Sequence, residues 1–150
     1  FPLSNPTSRA EATPHDVDAW TGGRAVIGTG SPFPPLRRHG ADFAVDQTNN
    51  SYIFPGVALG SIAVQARRIT DGMFMAAAKA LAAASPARTD PNANLLPPVT
   101  AMRDISLIVA KAVAREARRE GLCGELTDAE IDLAIAARIW TPRYLPYRKP

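Results

Sequence analysis

No apolar run in this 150-residue chain approaches the roughly 20 residues needed to span a bilayer, so no helical membrane segment is expected. The opening Phe1-Pro2-Leu3-Ser4-Asn5 has no basic stretch followed by an apolar one, so no secretory signal is expected in it. An initiator methionine is also missing, and a chain that opens on apolar residues and turns at once reads as cut from something longer. A single cysteine, Cys123, excludes an internal disulfide framework and fits a reducing, cytoplasmic compartment. Its setting, Gly121-Leu122-Cys123-Gly124, reads as a connection and not as the surroundings of a nucleophile. Strong charge of either sign is lacking too: a net +3 makes no case for a nucleic-acid partner.

What is present is an ordinary globular composition, 46% apolar and 21% charged. A chain of this length hides about 70% of its unfolded surface, enough for a real core. Residues 1–50 are rich in proline and glycine and read as an α/β segment. Phe1-Pro2-Leu3 reads as the end of a buried strand, and Thr13 as the cap of a short helix with Pro14 in its first turn. Ala25 to Gly30 reads as a strand buried on both faces, and Phe43-Ala44-Val45 as a short extended piece beyond the turn at Arg38-His39-Gly40.

From residue 51 to 140 the pattern turns helical. Ile53 to Arg68 is apolar nearly all round and predicts a buried helix; Thr70 caps another running to Ala84. The stripe Ile105, Ile108, Val109, Ala112 and Val113 predicts a helix from Met102 to Glu120, stopped by Gly121. Thr127 and Glu130 form a capping box for a last helix to Trp140, and residues 141–150 read as an extended tail. The order of elements suits the C-terminal part of a doubly wound, Rossmann-like α/β domain followed by a helical segment.

Three asparagines stand where ligand groups are expected, because an amide offers donors and an acceptor without charge. Asn5 follows a strand end; Asn49 and Asn50 precede a buried helix. On the residues alone, Asn-Pro is a common turn and Asn-Asn a common cap, and those readings have the better support. Gly28-Thr29-Gly30-Ser31 is too short for a nucleotide fingerprint, with Pro32 behind it, and reads as a turn with close backbone packing. His15 and His39 lack partners at metal or general-base spacing. Lys111, Arg115, Arg118 and Arg119 read as a solvated face; Arg143, Arg148 and Lys149 make the tail basic.

Seven motifs in order give these residues a context. They are Pro2-Leu3-Ser4-Asn5-Pro6-Thr7, Trp20-Thr21-x-Gly23-Arg24, Thr29-Gly30-Ser31-Pro32-Phe33 and Gln47-x-Asn49-Asn50-x-x-Ile53-Phe54-Pro55-Gly56. Arg68-Ile69-Thr70-Asp71-x-Met73, Leu96-Pro97-Pro98 and Pro142-Arg143-Tyr144-x-Pro146-Tyr147-Arg148 complete the series. The chain thereby resembles the malic enzymes along essentially its whole length.

That resemblance implies oxidation of L-malate with NAD or NADP, then decarboxylation to pyruvate with help from Mg2+ or Mn2+. It implies that Asn5 touches cofactor and substrate, Asn49 the substrate carboxylate, and Asn50 both substrate and the nicotinamide ribose. It places the family's catalytic tyrosine and lysine, metal ligands and dinucleotide loop before Phe1, so no catalytic or metal-ligating residue is assigned here. NAD is the preferred cofactor, and the chain alone is expected to be inactive. Where the family often carries glycine this chain has Thr48, which a left-handed turn would strain. A malolactic enzyme, which shares the asparagine motifs, and a non-catalytic assembly module are the alternatives. Uncovered apolar surface predicts a homo-oligomer, alongside the rest of a malic enzyme chain as partner, with no nucleic acid and no membrane.

Overall fold

Thr13 starts the first helix as its sequence predicts: its hydroxyl accepts from the Asp16 amide, and the Asp16 carboxylate accepts from the Thr13 amide. This computed structural model describes residues 1–38, 40–90, 93–140, Tyr144, Pro146 and Tyr147. Helix α1 is Pro14–Thr21 and closes on Gly22, whose φ of 58° the left-handed cap requires. Four short strands follow, β1 (Gly28–Thr29), β2 (Leu36–Arg38), β3 (Ala41–Phe43) and β4 (Asp46–Gln47). β1 and β4 pair in parallel, with Gly28 opposite Asp46 and Thr29 opposite Gln47; β2 and β3 form an antiparallel hairpin. The extended piece expected at residues 43–45 thus belongs to a hairpin through Phe43, and His39 in its turn lies outside the described residues.

Among the described residues four further α-helices carry the rest: α2 (Phe54–Ala63), α3 (Asp71–Ala83), α4 (Met102–Arg119) and α5 (Asp128–Arg138). Thr70 caps α3 through the Met73 amide, and the Thr127–Glu130 capping box opens α5. The core lies where α2, α3 and α5 pack on α4, with Met73, Val57, Val109, Val113, Ile131 and Ile135 all but fully buried. Each such side chain contributes about 1.5–3 kcal/mol when removed from water. Gly56 and Gly60 let α2 approach closely, since a methyl on either would strike Val109 or the Ala110 carbonyl. The result is the α/β class expected, a parallel strand pair of Rossmann-like kind followed by a helical segment. Among the described residues no helix is long and apolar enough to cross a membrane.

Several boundaries differ from expectation. The strand expected over residues 25–30 is confined to Gly28–Thr29, and Val26 is 70% exposed, because only that pair finds a ladder partner in β4. Phe1 to Leu3 forms no strand, and Phe1 and Leu3 are exposed while Pro2 is buried. Helix α2 ends at Ala63, not Arg68: Gln65 turns left-handed at φ 52°, and the Arg67 amide donates to the Leu122 carbonyl. Only one side of α2 is buried, for Phe54 and Ile62 are each 55% exposed. On α4 the buried face is Ile105, Val109, Ala110, Val113, Ala114 and Ala117; Ile108 points outward because the small alanines admit the neighbouring helices. Helix α5 stops two residues short of Trp140, where Ile139 is extended.

Candidate functional site

Three chain segments run side by side at the edge of the strand pair. The Gly30 amide donates to the Pro2 carbonyl (3.1 Å), and Gly30 lies so close to the Leu3 backbone that a Cβ could not fit. On the other side the Thr48 amide donates to the Thr29 carbonyl (2.7 Å), prolonging the β1–β4 ladder. Thr29 and Gln47 are register partners, so Ser31 and Asn49, each two residues further on, leave the pair at the same end. Asn5 joins them, since its side-chain oxygen accepts the Ser31 hydroxyl. Parallel sheets take their ligands outside the carboxyl ends of the strands, which is where these loops lie.

The amides at this edge have a common polarity. The Asn5 oxygen is engaged by Ser31, and the Asn49 oxygen accepts the Ser51 amide hydrogen (3.1 Å) as the cap of the 3-10 turn Asn50–Tyr52. Both acceptors are used internally, and among the described residues neither NH2 group makes a hydrogen bond, so both remain available as donors on exposed residues. Asn50 is exposed beside them, and just beyond begins α2, with Pro55 in its first turn and no side chain capping its amides. Outward amide donors at the positive end of a helix suit the oxygens of a carboxylate or a carboxamide. The cap reading and the ligand reading of Asn49 are therefore compatible, because they use different atoms. Thr48 does not adopt a left-handed conformation; the strain expected there is absent.

The edge is held from behind. Thr29, 1% exposed, donates its hydroxyl hydrogen to the Ser31 carbonyl (2.8 Å), and Gln47 reaches the Gly30 carbonyl (3.4 Å). The Asp46 carboxylate accepts from the Asn94 amide group and from the Leu95 and Leu96 backbone amides. Tyr52, buried, donates to the Pro97 carbonyl (2.6 Å). Burial and then the nearby Asp46 charge push the Tyr52 hydroxyl above its ordinary range, so it stays a donor. Sequence reasoning quoted Thr29, Ser31 and Gln47 only as motif members. The Ser31–Asn5 and Gln47–Gly30 contacts cross 26 and 17 residues of chain, which no local pattern announces.

Other candidates resolve simply. Gly28 and Thr29 belong to β1 and only Gly30 and Ser31 bend away from it, so the turn expected over all four residues is confined to the last two; the segment is closely packed and enters no helix. His15 is exposed in α1. Cys123 packs against the core, where burial raises its thiol above the ordinary value. The basic side chains of α4 stay partly solvated, as expected, while reaching acids on α5: Lys111 pairs with Asp132 (3.0 Å), and Arg115 and Arg118 pair with Asp128 (3.1 and 2.8 Å). Arg143, Arg148 and Lys149 lie outside the described residues. Among the described residues, no group of three or more His, Cys, Asp or Glu side chains could hold a metal ion.

A family model described as "Malic enzyme, NAD binding domain" matches residues 1–118. NAD-dependent malic enzymes of Vibrio campbellii and Pseudomonas syringae pv. syringae are 47% and 49% identical over 149 residues, 99% of this chain and 26% of each relative. The chain thus spans about a quarter of the length of the curated relatives it matches. Among solved structures, the malic enzyme of Pyrococcus horikoshii Ot3 aligns with a TM-score of 0.68 at 31% identity, covering 91% of this chain and 28% of that one. The malic enzyme of Entamoeba histolytica aligns with a TM-score of 0.66 at 28% identity, covering 87% and 25%.

Proposed function

This chain belongs to the malic enzyme family, within its NAD-binding domain, and from that premise we propose that it is part of an oxidoreductase converting L-malate to pyruvate and CO2 with reduction of NAD. NAD is preferred to NADP because the similar curated relatives are NAD-dependent malic enzymes. In this reading residues 1–50 supply the ligand loops and 51–140 the helical support; the tail expected over 141–150 lies mostly outside the described residues. The rest of the malic enzyme chain and a second copy of the protein are the proposed partners, with a cytoplasmic location.

Asn5, Asn49 and Asn50 act here by positioning. NAD, when bound, supplies the acceptor for the hydride leaving the hydroxyl-bearing carbon of malate. The outward NH2 of Asn49 holds the malate carboxylate, Asn5 bridges substrate and nicotinamide carboxamide, and Asn50 reaches substrate and ribose. Fixing these groups at hydride-transfer distance lowers the barrier without moving a proton. Among the described residues no cluster of His, Cys, Asp or Glu side chains fits Mg2+ or Mn2+, so no step derived for these residues runs through a metal.

The observation that carries the reading is the convergence of Asn5 and Asn49 at one strand edge with their acceptors already satisfied. Its test is kinetic. In the full-length enzyme containing this chain, Asn5→Ala and Asn49→Ala should each raise KM for malate about tenfold or more, as expected for a lost hydrogen bond to a charged group. Unchanged malate kinetics in both variants would overturn it.

A further inference from the structure

We propose that Ser31 is a positioning residue that sets which end of the Asn5 amide faces the ligand. The inference rests on the reading of Asn5 as a ligand contact. An asparagine side chain has two nearly equivalent orientations about its last torsion, oxygen outward or NH2 outward. A ligand offering acceptors needs the second.

Ser31 enforces it. Its hydroxyl donates to the Asn5 oxygen, and among the described residues that is the only hydrogen bond the hydroxyl makes. With the oxygen held inward, the NH2 faces out.

The serine is itself fixed before any ligand arrives. It is 4% exposed, its carbonyl accepts the Thr29 hydroxyl hydrogen (2.8 Å), and the neighbouring Gly30 is held by Pro2 and Gln47. Pro32 behind it restricts Ser31 to extended backbone conformations. Asn5, by contrast, is exposed and lies in a loop. The buried serine is thus the rigid member of the pair, and the exposed asparagine takes its orientation from it. Without the hydroxyl, water would compete for the Asn5 oxygen and the amide would spend much of its time reversed. Substrate would then meet a lone pair where it needs a donor.

A mutant cycle in the full-length enzyme tests this, using Ser31→Ala, Ser31→Thr, Asn5→Ala and the double variant Ser31→Ala/Asn5→Ala. Ser31→Ala should raise KM for malate about fivefold, the size of one lost neutral hydrogen bond, and leave the thermal midpoint within about two degrees. Ser31→Thr, which keeps the hydroxyl, should return KM to within about twofold of the starting enzyme. On the Asn5→Ala background, Ser31→Ala should add no further loss, because no amide remains to orient. If Ser31→Ala costs the same with and without Asn5, or costs nothing, the positioning role is overturned. Should the threonine methyl fail to fit the buried site, the Asn5→Ala background decides alone. Asn5→Ala with unaltered malate kinetics would instead bring down the ligand reading of Asn5, and the positioning role with it.

Discussion

Gly60 on α2 lies directly against the backbone carbonyl of Ala110 on α4, leaving no space for a side chain. Both elements are helical there, so alanine at position 60 has a propensity gain of about 1 kcal/mol. The collision outweighs it, because a carbonyl oxygen cannot swing away as a flexible side chain can. Forcing α2 outward also loosens Val57 and Val109, both fully buried. Gly60→Ala should therefore cost about 2–3 kcal/mol net, read as a lower urea midpoint with unchanged slope. A variant as stable as the original would show that the α2–α4 crossing is not set by this contact.

Acid should release α5 from α4. The Asp128 carboxyl is held below its ordinary value first by the hydrogen bond from Arg118, with the Arg115 charge assisting. Glu130, in the capping box, is lowered by the Thr127 amide and hydroxyl. Groups with depressed folded-state pKa values contribute stability that is complete above the unfolded carboxylate range and is lost as pH falls through the depressed values. The window accordingly lies below about pH 4. Thermal midpoints followed from about pH 6 to about pH 3 should fall less steeply for Asp128→Asn than for the starting protein. Parallel curves would remove Asp128 from the groups responsible.

These two regions differ in how far the sequence announced them. The caps at Thr13, Thr70 and Thr127 were readable because each is completed within three residues of chain. The length of α4 was readable for a similar reason, being a local periodicity closed by Gly121. Strand extents were not, since a strand is as long as the ladder its partner offers, and β1 meets β4 over two residues only. The early end of α2 depends on Leu122, more than fifty residues away, and the pairing of Arg118 with Asp128 on how two helices come to cross. At the site, the asparagines were visible as residue types in a motif. Which of their atoms would face outward became visible only once Ser31 and Ser51 were seen to take their oxygens.

The 150-residue chain by itself should not turn malate over. Its polar edge offers donors from Asn5 and Asn49 but brings no proton-transferring pair or metal-binding group to that edge among the described residues. Positioning alone cannot remove the hydroxyl proton of malate or stabilise the charge that follows decarboxylation. Incubation of the purified chain with malate, NAD and Mn2+ should give no NADH absorbance above a protein-free blank. Steady turnover would overturn the assignment of these residues to positioning only.

Asn49 allows its two duties to be separated. The oxygen caps the 3-10 turn through Ser51, and in the proposed function the NH2 is the group that meets the ligand. Asn49→Asp keeps an oxygen for the Ser51 amide, and a carboxylate there also suits the start of a helical turn. It replaces the outward donor, however, with a second anionic oxygen aimed at the substrate carboxylate. Stability should then stay within about 0.5 kcal/mol while KM for malate in the full-length enzyme rises more than about thirtyfold, since like charges repel where a hydrogen bond was lost. Asn49→Ser also keeps a capping oxygen but brings no charge, and should raise KM by only about tenfold. The order Asn, Ser, Asp in malate affinity, against nearly level melting curves, is the signature of a donor facing a carboxylate. Equal KM values for the serine and aspartate variants would mean that no anionic group approaches Asn49, leaving it the cap alone.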